Sequence, residues 1–130
     1  MQIKKEDIVI RFASRKEVNF FTKAGDINLC FIKQAYSKIA SSPTKLGEIF
    51  AMGIPVVCND GVGDVREIVE SVDAGAILSN FNTEEFKRVI AGFDTLLKKD
   101  PATIRSRALG YYSLDKALGT YASIYKKLIG

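Results

Sequence analysis

Histidine is absent from the 130 residues, and cysteine occurs only twice. Without an imidazole there is no Ser-His or Cys-His nucleophile pair and the commonest zinc ligand is missing, so the chain on its own is a poor candidate for hydrolysis. Cys30 and Cys58 each lie inside an apolar run, where two thiols read as small core hydrophobes rather than as a bridge or a metal pair. No apolar stretch approaches ~18 residues, so no membrane-spanning helix is expected. The opening M-Q-I-K-K-E-D carries no secretory-signal pattern, and the expected compartment is the cytoplasm. Proline is limited to three residues and glycine to ten; with no repeat and no low-complexity tract, disordered and collagen-like classes are excluded.

What is present is an ordinary globular composition, 47% hydrophobic and 26% charged. At this length a single domain, residues 1–130, buries roughly two-thirds of its unfolded surface around one core. A net charge of +4 and a pI near 9.1 suit a phosphorylated ligand or a peripheral contact with an anionic inner membrane face. The charge is too small and too scattered to point to nucleic acid.

Residues 41–59, S-S-P-T-K-L-G-E-I-F-A-M-G-I-P-V-V-C-N, organise the rest. Ser42 is placed as an N-cap with Pro43 at the first helical position, and Gly53 and Pro55 end the helix and open a strand. Leu46, Ile49 and Phe50 share an inward face, while Thr44, Lys45 and Glu48 lie opposite. Gly47 and Ala51 form a smooth strip that admits a close neighbour. Lys45 sits at the positive end of the helix dipole, which is unfavourable unless an anion binds there. Ser42, Thr44 and Lys45 therefore form a candidate phosphate site. A structural reading stands beside it, in which Ser41 and Ser42 cap, Thr44 is solvated and Lys45 pairs with Glu48 three residues on.

In chain order, residues 7–12, D-I-V-I-R-F, read as a first strand. A capping box of Ser14 and Glu17 opens a helix that Gly25 closes. Residues 27–32 read as a second strand and 33–40 as a loop or one helical turn. Residues 55–58 give a third strand, and the turn N-D-G-V-G-D follows it. Gly61 and Gly63 there read as a tight turn rather than a dinucleotide fingerprint, because the third glycine position holds Arg66 and Asp64 would oppose a phosphate. Asp64 and Glu67 suggest a further capping box, and residues 76–78 a fourth strand. One long helix is expected from Thr83 to Lys98-Lys99, another from Asp100-Pro101 through Leu109, and a last one capped by Ser113. Tyr111, Tyr112, Tyr121 and Tyr125 read as packing residues with hydroxyls at the rim. Four strands alternating with helices, then helices alone, predict an α/β fold: a Rossmann-like three-layer sandwich with a parallel sheet of about four strands, closed by C-terminal helices. Its ligand is expected at the carboxyl ends of the strands.

The stretch S-P-T-K-L-G-E-I-F-A-M-G-I-P-V-V resembles the donor-binding, C-terminal half of GT-B fold glycosyltransferases of the retaining, group 1 type. R-K-E-V-N-F-F-T-K-A-G-D-I-N-L, residues 64–69 and 75–78, and the terminal I-Y-K-K-L extend the likeness over nearly the whole chain. The resemblance implies that Glu48 holds the ribose hydroxyls of a nucleoside-diphosphate sugar, with Ser42, Thr44 and Lys45 at the diphosphate. That sugar nucleotide is a substrate, and neither a metal nor another cofactor is expected. A second carboxylate that the family places eight residues earlier is Ala40 here. The resemblance also implies that the chain is an incomplete GT-B C-terminal domain: two strand–helix units and the N-terminal acceptor domain would precede it. No catalytic residue would then lie in this fragment, which alone would be inactive in hexosyl transfer for polysaccharide biosynthesis. A homodimer through an exposed strand edge is allowed. Two other readings stand beside the transferase: a non-catalytic nucleotide-binding or scaffolding domain of the same fold, and a phosphate-binding α/β domain unrelated to sugars.

Overall fold

Strand β2 (Val56–Asn59) lies between β1 (Asn28–Cys30) and β3 (Gly75–Leu78), parallel to both. The computed structural model describes residues 3–129. A central parallel strand must be covered on both faces, and the run V-V-C-N meets that demand, with all four residues buried. Val56 and Cys58 point into a cluster with Leu46, Phe50, Ile68 and Ile104, whereas Val57 points the other way against Leu78 and Val89. This alternation is the two-residue period of a strand read across a three-layer molecule.

The larger layer holds α2 (Thr44–Ala51), α3 (Val65–Val72) and α6 (Pro101–Tyr112). Because the strands follow one another in sequence order, right-handed crossovers put α2 and α3 on the same side of the sheet. Leu46 and Phe50 are wholly buried there, each contributing about 1.5–3 kcal/mol by leaving water. α4 (Thr83–Ala91) and α5 (Phe93–Leu97) cover the second face more thinly. α1 (Val18–Lys23) precedes β1, and α7 (Leu114–Ile129) ends the described chain; neither buries a residue. The architecture is α/β with an open parallel sheet, compatible with a Rossmann-like arrangement.

The sheet has three strands among the described residues rather than about four. Residues 7–12, expected as the first strand, join no ladder, Asp7 ending a short 3-10 turn, and Val9, Ile10 and Phe12 are more than four-fifths exposed. β-branched residues favour extended backbone, but a strand exists only where a neighbouring edge accepts its hydrogen bonds, and this segment reaches none. The expected long helix breaks at Gly92, which ends α4 and starts α5; glycine is a poor helix former and the two segments can turn there. Asp64 makes no side-chain cap at the start of α3, so the Asp64–Glu67 box does not form. The Ser14–Glu17 box forms only in half: the Glu17 carboxylate accepts from both the amide (3.0 Å) and the hydroxyl (2.6 Å) of Ser14, but α1 begins at Val18 with Glu17 at the N-cap position and no side-chain cap. The caps at the C-terminal end are present, Asp100 accepting from the Thr103 amide at 2.8 Å and Ser113 from the Lys116 amide at 3.3 Å. Tyr111, Tyr121 and Tyr125 are exposed and so do not pack as expected; Tyr112 packs on the core, but with its hydroxyl buried rather than at the rim.

Candidate ligand groove beside the central helix

α2 starts one residue later than its cap signals predict. Pro43, in extended conformation (φ −70°, ψ 109°), occupies the N-cap position itself, and no side chain caps the first turn. Ser42 is exposed and does not cap, while the Ser41 hydroxyl donates to the Ser37 carbonyl at 3.2 Å. The reason lies in the loop before the helix. Gly63 packs so closely on Ser41 that a Cβ added to it would overlap the Ser41 carbonyl oxygen, and the Gly63 amide donates to Lys38 at 3.0 Å. Held from that side, residues 41–42 cannot fold back over the helix start. The helix end follows expectation, with Gly53 in the left-handed region (φ 75°) just past the C-cap.

The strip of Gly47 and Ala51 works as predicted. α6 lies against it, and a Cβ on Gly47 would meet the Tyr112 ring at 2.7 Å. Between the two helices runs an open groove of about 340 Å³ lined by Thr44, Gly47, Glu48, Ala51, Arg105 and Tyr112, among others. Glu48 is exposed at its wall. Arg105, from α6, donates through Nε to the Ala51 carbonyl at 2.7 Å, which leaves the rest of its guanidinium to face a ligand. The Tyr112 hydroxyl is buried with no hydrogen-bond partner among the described residues, and burial pushes its pKa up to about 12, Asp64 and Cys58 adding to the effect. It therefore stays a neutral donor.

The four site residues read from the sequence do not converge on one spot. Thr44 and Glu48 share the groove. Ser42 belongs to a separate crevice with Ala40 and Asp64, whose carboxylate repels an anion. Lys45 is exposed and lines neither. Lys45 and Glu48 form no ion pair, so the structural reading of that pair fails as well.

At the carboxyl ends of the strands, sequence reasoning missed a main feature. Asn59 is 2% exposed; its Oδ1 accepts from the Ile32 amide at 2.7 Å and its Nδ2 donates to the Ile32 carbonyl at 3.0 Å and to the Asp60 carbonyl at 2.9 Å. One side chain thus continues the β1–β2 ladder past its last backbone rung. The signal was a lone amide ending a wholly apolar strand, where burial demands partners. Gly61 (φ 77°) and Gly63 (φ 40°) make the tight turn expected, and Arg66 closes it on Asp60 at 2.6 Å. The guanidinium holds the Asp60 carboxyl below the usual range. Among the described residues no three acidic or cysteine side chains cluster as a metal site would need, and no helix is long and apolar enough to cross a membrane.

No protein-family model, curated protein or solved structure matches the chain.

Proposed function

We propose that the chain is a nucleotide-sugar donor module of the GT-B, group 1 glycosyltransferase type, and that the groove between α2 and α6 takes a nucleoside diphosphate. The observation that carries this reading is the shared placement of Thr44 and Glu48 on one open groove beside an uncapped helix start. A free carboxylate accepts hydrogen bonds from vicinal ribose hydroxyls, and backbone N–H groups left bare at a helix start favour phosphate oxygens. The Arg105 guanidinium supplies the positive charge on the groove that Lys45, which does not line it, does not. Lys45 and Ser42 act in this reading only after residues 41–45 rearrange around the ligand.

Transfer itself needs more than this chain. Residue 40 is alanine, so no carboxylate from that position holds the sugar. The exposed apolar residues of 8–12 and of α7, among them Ile10, Phe12, Leu114 and Leu128, are surface that an acceptor domain would cover. The reaction proposed for the assembled enzyme is sugar transfer from the nucleotide to a growing glycan, in the cytoplasm or at its membrane face.

Titration of the purified chain with UDP, GDP and ADP, followed by calorimetry, tests the donor site. Binding of one of them is expected to weaken about ten- to a hundredfold in Glu48→Gln, the equivalent of a lost charged hydrogen bond, with the circular dichroism unchanged. Failure of all three to bind, or equal binding by the variant, overturns the reading. Ala40 favours a second reading, a nucleotide-binding scaffold of the same fold without transfer. Equal affinity for 2′-deoxyribose analogues would point away from sugars altogether.

A further inference from the structure

Cys30 and Cys58 stand opposite each other in the β1–β2 ladder. Both turn into the larger core layer, Cys58 buried and Cys30 half-buried at its margin. Together with Ile32, Pro43 and Leu46 they surround one small gap under the start of α2. Neighbouring strands lie about 4.7–4.9 Å apart, within the Cα separations that disulfides span, about 4.4–6.8 Å. We propose that Cys30 and Cys58 form a reversible dithiol–disulfide site that is oxidised by low-molecular-weight disulfides.

The two thiols are unequal in the way such a site requires. The adjacent Cys58 thiol holds Cys30 below the ordinary thiol value despite its partial burial, and the Lys45 charge adds to the effect. Burial and the adjacent Cys30 sulfur push Cys58 up. Cys30 on the edge strand is the attacking thiolate, and Cys58 behind it keeps its proton until the second step. Cys30 thiolate attacks one sulfur of the oxidant RS–SR, forming the Cys30–S–SR mixed disulfide and releasing RS⁻. Cys58 then gives its proton to a thiolate such as RS⁻ and attacks the Cys30 sulfur, closing the Cys30–Cys58 bond and releasing the second RS⁻. Counting the proton that Cys30 gives to solvent on becoming a thiolate, the protein loses two electrons and two protons, and RS–SR takes up both to become two thiols.

Closure must draw the two Cβ atoms in, since disulfides prefer about 3.8 Å and a ladder rung is wider. A bridge under such tension is readily reduced, which makes the site reversible. It also pulls on the end of β1, two residues before the Ile32 that Asn59 clamps, so oxidation stiffens the chain leading to α2. The site works whether or not the groove binds a nucleotide.

The folded chain, incubated with oxidised glutathione under argon with a chelator, acid-quenched and weighed intact, decides it. The expected product is lighter by two hydrogens, carries no glutathione and returns to the starting mass with dithiothreitol. Cys58→Ala should instead accumulate the glutathione adduct on Cys30, and Cys30→Ser should react at least about tenfold more slowly. The urea-unfolded chain, in which the 27 residues between Cys30 and Cys58 are free to roam, should close the bond about tenfold more slowly than the folded one. A wild-type chain that stops at the glutathione adduct, links only between molecules, or closes no faster folded than unfolded overturns the proposal.

Discussion

Two regions of this molecule carry the same kind of sequence pattern and meet different fates. Between Leu46 and Ala108 lie all the buried residues described; none precedes Leu46 and none follows Ala108. Outside those limits the residues are no less apolar. Residues 8–12 hold I-V-I-R-F, and α7 places Leu114, Leu118, Tyr121, Ile124, Tyr125 and Leu128 at helical spacing, all exposed. A hydrophobic face gains free energy only against a partner face, and the sheet offers one to α2, α3 and α6 but not to α7. Amphipathic periodicity states what a segment would do with a neighbour; topology decides whether it has one.

The sharpest test of that contrast pairs two truncations. Phe50→Ala empties a wholly buried site among α2, α3 and β2 and is expected to cost about 3–5 kcal/mol in urea unfolding. Ile10→Ala, at a residue 91% exposed, should shift stability by less than about 0.5 kcal/mol. Comparable losses in the two variants would mean that residues 8–12 are packed in solution, and the division drawn above would fall.

Asn59→Ala sharpens the same contrast at the border between the regions, because Asn59 ties the loop after β1 to the core. Removing the amide leaves the Ile32 N–H and carbonyl without their partner, an expected loss of about 1–3 kcal/mol. Hydrogen exchange should show the effect concentrated at the Ile32 amide and the neighbouring end of β1. Uniform loss of protection across α3 and α6 would show that the clamp holds the whole fold rather than its edge.

How much of this was legible in advance divides along the same line. The inward face of α2, the Gly47 and Ala51 strip, the tight turn at Gly61 and Gly63 and the caps at Asp100 and Ser113 all follow from contacts near in sequence or from backbone demands of single residues. The failures concern partners distant in sequence. Residues 8–12 look like a strand until one asks whose edge they meet. Ser42 satisfies every local rule for an N-cap, yet the close approach of Gly63 to Ser41, twenty-two residues apart, fixes the loop otherwise. Arg105 and Tyr112 on the groove could not be read from the α2 stretch at all, since α6 brings them there.

The smallest expected effect belongs to the surface ion pairs that tie α3 to the segment from Lys99 onward. Asp73, in left-handed conformation at the C-cap of α3 (φ 53°), accepts from Lys99 at 2.6 Å and from Arg107 at 2.9 Å. The hydrogen bonds from Lys99 and then Arg107 hold its carboxyl below the ordinary value. A carboxyl depressed in the folded state contributes stability above its unfolded value, near 3.9, and loses it as pH falls through the folded value. With both partners partly solvated, each pair contributes about 0.2–1 kcal/mol and is screened by salt. Asp73→Asn should therefore lower the urea midpoint slightly at pH 7, and the gap to wild type should close as pH is taken below about 4. A gap that persists undiminished at low pH would assign the residue's contribution to hydrogen bonds that survive neutralisation and not to charge, since asparagine also tolerates the left-handed backbone.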